Sequence, residues 1–169
     1  MRQTAKAVAE AIRAFDGVRT TPLKALVQTR MEPEAVDALV TALPGPNEIA
    51  ATWCLKALAE TGRLPAGALT LSFAALPKLS EPDAILHILQ MVQHAPDLAR
   101  PIREAIVPLA GHPKLLVTVW AFDAYCRTTP AGEEADRAAR IRQGLTHRSK
   151  AMQARARALA REFGVNLPQ

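Results

Sequence analysis

At 169 residues the chain is long enough for one domain with a substantial core and short for two. Apolar residues make up 49% of it, which excludes global disorder, and no apolar run approaches the roughly 20 residues needed to span a bilayer as a helix. The net charge of +5, with an isoelectric point near 9.7, permits an acidic partner without demanding one.

Alanine and leucine dominate while aromatic residues contribute only 4%, a balance that favours helix over strand. Prolines punctuate the chain, because a proline is tolerated in the first turn of a helix and ends or kinks one elsewhere. On that basis helices are predicted over residues 3–15, 22–30, 33–43, 47–62, 65–79, 82–95, 97–110, 113–128 and 133–163. In the first of these, Ala5, Val8, Ile12 and Phe15 form a buried stripe; with Glu10 among them, the segment lacks the compact apolar core of a secretory signal. Asn47 with Glu48 and the run Ser80-Glu81-Pro82-Asp83 supply start signals, including an N-cap hydroxyl at Ser80. Gly62, Gly111 and Gly164 sit where helices close. Cys54 and Cys126 each lie in an apolar helical pattern and read as reduced thiols, which places the expected location in the cytoplasm.

The chain repeats itself. The spacing from Pro77 to Pro82 recurs from Pro108 to Pro113, a shift of 31 positions. Downstream, Ile85 aligns with Leu116, Leu86 with Val117, Ile88 with Val119 and Leu89 with Trp120. An earlier copy starts at Pro46, with Trp53 in the place of Trp120 and Ala57 in that of Ala124. These copies resemble HEAT or armadillo-type repeats, most clearly in Val107-Pro108-Leu109 and in Val119-Trp120-Ala121-Phe122-Asp123-Ala124. Lys114 and Thr118 depart from the pattern, where many such repeats carry an acid and an arginine. The resemblance implies an all-α, right-handed α-α superhelix of about three helix pairs. Residues 1–32 would form an N-terminal helical pair, 33–128 the repeats, and 133–163 a basic capping helix. Each pair has an apolar face that it cannot hide alone, so neighbours must stack. Trp53 and Trp120 are then expected in the core.

Few residues ask for chemistry. His87 and His94 are two helical turns apart, too far to share one metal comfortably, and neither metal nor cofactor is assigned. Asp123 interrupts an apolar run; it reads either as a shifted catalytic carboxylate or as a structural acid paired with Arg127, the second being favoured. Phosphate loops, nucleophile elbows and zinc-spaced cysteine pairs are missing, so no catalytic residue is assigned and a non-enzymatic protein is expected.

The basic C-terminal segment is the one suggestive element. Ile141, Leu145, Met152, Ala156, Leu159 and Phe163 make a narrow apolar stripe for docking within the chain or against a second copy. Around it stand Arg137, Arg140, Arg142, Arg148, Lys150, Arg155, Arg157 and Arg161. They read as the solvated face of a cap, as an anion-binding surface for nucleic acid, or as a membrane-surface helix without insertion. The preferred function is an interaction scaffold holding a protein partner, and the alternative is nucleic-acid binding through these cations.

Overall fold

The structure, a computed structural model, describes residues 2–166. It is all-helical, and its helices are α1 (Ala5–Arg13), α2 (Thr21–Gln28), α3 (Pro33–Thr41), α4 (Glu48–Glu60), α5 (Ala66–Ala75), α6 (Pro82–Met91), α7 (Pro96–Ala99), α8 (Arg103–Ile106), α9 (Leu115–Arg127), α10 (Glu134–Leu145) and α11 (Lys150–Phe163). Among the described residues, extended pairing is confined to one bridge between Gln3 and Met31. No helix there is long and apolar enough to cross a membrane.

Proline chemistry explains most boundaries. Pro22, Pro33, Pro82 and Pro96 occupy the first turns of α2, α3, α6 and α7, where a missing N–H costs nothing. Pro77, Pro101 and Pro108 instead tighten the backbone into 3₁₀ turns. The helix expected over 97–110 is therefore corrected to α7 and α8 separated by a 3₁₀ turn and followed by another, Val107–Gly111. Gly62 and Gly164, with φ of 67° and 64°, take the left-handed conformation that closes α4 and α11.

Packing runs along two series of helices. In one, α2 packs on α4, α4 on α6, α6 on α9 and α9 on α11; in the other, α1 packs on α3, α3 on α5 and α5 on α7. Side chains tie successive members together at their N-terminal ends. Glu48, the first residue of α4, is 1% exposed and accepts N–H groups from Ser80 at 2.8 Å and Glu81 at 2.7 Å, just ahead of α6. It also accepts the Gly45 N–H at 3.2 Å. Burial pushes its carboxyl up, but the N–H donors of Glu81, Ser80 and Gly45 outweigh this and hold it below the usual range. The Ser80 hydroxyl, expected as an N-cap, instead donates to Glu48 Oε1 at 3.2 Å, and Glu81 takes the cap position with no side-chain cap bond. One step on, Asp83 at the start of α6 pairs with Lys114 ahead of α9.

The main core extends from Val8 to Ala124, and its largest fully buried side chains include Phe73, Leu55, Ile88, Leu89 and Met91. A smaller cluster joins Cys126, Ile141, Leu159 and Ala160 at the C-terminal end. Trp53 and Trp120 are corrected from core residues to half-buried ones flanking the main cluster. In α4 the inward places go to Ala50, Ala51, Cys54 and Leu55, whose small members let the helices approach closely and leave Trp53 at the margin. Ile85 and Leu116, aligned in sequence, also differ, being 7% and 47% exposed.

Candidate partner-docking cleft and basic hairpin

The single capping helix expected over 133–163 is two helices folded back on each other. The break falls at Thr146–Ser149, where Ser149 caps α11 by accepting the Met152 N–H at 3.5 Å. His147 stabilises the turn, its Nδ1 accepting the Ser149 N–H at 3.0 Å and its carbonyl accepting from Gln153 at 2.7 Å. Gly144 allows the approach: a Cβ there would lie 2.7 Å from the Phe122 ring and 2.9 Å from the Ala156 Cβ. The apolar stripe is consumed inside the chain, since Ile141, Met152, Ala156 and Leu159 are all buried.

The eight cations of the segment divide into two groups. Three are engaged by the fold. The Arg137 guanidinium lies 4.1 Å from the Phe163 ring centroid, Arg140 4.6 Å from that of Tyr125, and Arg155 3.9 Å from that of Trp120. Arg155 also reaches Asp123 at 3.5 Å. The others, Arg142, Arg148, Lys150, Arg157 and Arg161, are exposed and make no ion pair among the described residues. Lys150, Arg157 and Arg161 are spaced by seven and four positions, so they share one face of α11.

Asp123 is fully buried, and the structure gives it the paired role. Its Oδ1 accepts from Arg127 Nε at 2.6 Å, and Arg127 continues to both oxygens of Glu162 at 2.6 and 2.8 Å. Burial holds the Asp123 carboxyl above its usual range, an effect that Arg127 and Arg155 offset only in part. The chain Arg155–Asp123–Arg127–Glu162 therefore fastens α11 to α9. His87 Nδ1 is 3.0 Å from the Thr52 hydroxyl, and His94 is exposed at the end of a 3₁₀ turn. The buried Cys54 and Cys126 thiols are each pushed up to about 12, chiefly by desolvation.

One cleft, of about 290 Å³, opens beside α9. Its floor is Thr118, Phe122 and Tyr125; Ile106 and Val107 form one wall, and Met152 lies on the other side. Arg140 and His147 stand at its edge, and none of its lining residues is acidic. Arg103, from α8, lies 3.6 Å from the Tyr125 centroid and donates to the Tyr125 carbonyl, so two guanidiniums flank that ring. Phe122 and Tyr125 are not among the site residues expected from the sequence, nor is Arg103 of α8. Phe122 and Tyr125 keep with Thr118 a spacing that marks one helical face, but α9 is apolar on nearly every side. The chain matches no family model, no curated protein and no solved structure.

Proposed function

We propose that the protein is a non-enzymatic interaction scaffold, a right-handed α-α superhelix of HEAT-like helix pairs that holds a protein partner. Support for the superhelix comes from the two packing series, in which successive members pack on one another. The repeated tie between helix starts, Glu48 to Ser80 and Glu81 and then Asp83 to Lys114, supports it as well. The observation that carries the function is the apolar cleft beside α9, left open while the stripe of α10 and α11 is filled internally. Two free, buried cysteines suit a reducing compartment, and we assign the protein to the cytoplasm on that basis.

Selection from a random peptide library on the purified protein tests this reading. Enrichment of sequences that compete with one another is expected, and failure of any sequence to enrich would remove it.

A second reading, nucleic-acid binding, is favoured by the unpaired face of Lys150, Arg157 and Arg161. It requires duplex binding that falls steeply between low and moderate salt, since contacts would be to phosphate. It also requires loss of that binding on changing Arg148, Arg157 and Arg161 to Gln. Arg155 is left out of that variant because Asp123 and Trp120 hold it.

A further inference from the structure

We propose that the cleft beside α9 receives an amphipathic helix from the partner, with carboxylates along the edge of its apolar face. This rests on the scaffold reading and adds the chemistry of the partner. Leu115 falls on the same face of α9 as the lining residues Thr118, Phe122 and Tyr125 by spacing, and is 48% exposed. From Leu115 to Tyr125 this face is about 15 Å long, close to three turns of a docked helix. Val107 on the facing wall is also 48% exposed.

The apolar character of the lining selects the occupant's backbone state. Thr118, Tyr125, Arg140 and His147 bring the polar groups of the lining, and the other six residues are apolar. An extended peptide laid over such a surface would leave N–H and C=O groups without partners, whereas a helix satisfies its own. Among the described residues no strand edge is offered beside the cleft for backbone pairing.

Charge selects the occupant's side chains. Arg140 faces the cleft, and Arg103 lies over its Tyr125. With no acid in the lining to neutralise them, they favour a partner carrying Asp or Glu and disfavour one carrying Lys or Arg. The Arg140 guanidinium, fixed against the Tyr125 ring, is presented at low entropic cost.

A displayed library of helix-forming peptides, with all surface positions randomised, gives the test. It is selected on the wild-type protein and re-tested on Val107→Asp and Arg140→Glu, whose folding is checked by circular dichroism. The expected pool carries apolar residues at i, i+3 or i+4 and i+7, flanked by Asp or Glu. Val107→Asp should weaken the enriched peptides at least tenfold. Arg140→Glu should weaken them several-fold, with binding recovered when the peptide acids are changed to Lys. A pool without acidic bias, or one that binds both variants as tightly as wild type, overturns the proposal. Peptides indifferent to Val107→Asp would sink the cleft while leaving a scaffold that docks elsewhere; failure of both this and the random library would sink the two readings together.

Discussion

Asp123 Oδ1 lies 2.6 Å from Arg127 Nε one turn further along α9, and both side chains are almost wholly buried, at 0% and 8% exposure. Removing one member of a buried pair strands the other, a loss of about 3–5 kcal/mol when nothing replaces it. Arg127 would keep Glu162, so Asp123→Ala is expected at the lower end, about 3 kcal/mol in urea unfolding. Glu162 is half exposed, and Glu162→Gln should cost under about 1 kcal/mol. A smaller loss for Asp123→Ala than for Glu162→Gln would contradict this ranking.

Glu48 joins two helix starts by accepting the backbone N–H groups of Ser80 and Glu81. Glu48→Gln should destabilise the protein by about 1–3 kcal/mol at pH 7. Its carboxyl sits below the usual range in the folded state, so its contribution is complete above the unfolded value near 4.5 and is lost as pH falls through the folded one. The gap between wild type and Glu48→Gln should therefore narrow on acidification.

His87 behaves in the opposite chemical sense with the same pH direction. Burial and the nearby Lys56 lower it to about 4, from an ordinary 6.5. Between these values the unfolded chain binds the extra proton, so stability rises with pH across that window and the contribution is complete above about 6.5. The loss on acidification to pH 4 should be about 2–3 kcal/mol. In His87→Asn the slope of unfolding free energy between pH 4.5 and 6.5 should flatten; an unchanged slope would show that the imidazole is not the group titrating.

Gly144 brings α10 against Phe122 and Ala156. Alanine normally gains about 1 kcal/mol over glycine within a helix. Here its Cβ would press to within 2.7 Å of a ring atom, and overpacking of this kind costs about 1–3 kcal/mol. Gly144→Ala should therefore be neutral to destabilising and Gly144→Val clearly destabilising, as read by the urea midpoint.

Where local chemistry decided the structure, the sequence was readable. Proline and capping residues marked α3, α4, α6 and α9 closely, and the pairing of Asp123 with Arg127 followed from their spacing of four. Where distant groups decided it, the sequence was silent. Ser80 carries the hydroxyl of an N-cap, yet the N–H groups there go to Glu48, more than thirty positions away. The turn at Thr146–Ser149 interrupts a pattern whose helical period runs straight through it, and only Gly144 and Ser149 hinted at a close, capped reversal. The arginines looked alike in sequence; aromatic rings of α9 and α11 separate Arg137, Arg140 and Arg155 from the exposed ones. The cleft was invisible for a related reason, because the face of α9 left uncovered depends on where the hairpin lands.

Native-state hydrogen exchange on wild type and Leu159→Ala tests the neighbour-by-neighbour stacking most directly. Leu159 is fully buried in the C-terminal cluster, and its truncation should cost about 2–5 kcal/mol. If each helix is held by the members beside it, protection should fall in α10, α11 and the end of α9 while α1 to α4 keep theirs. An equal loss of protection from α1 to α11 would mean that the chain unfolds as one unit, and the stacked-repeat account would fail.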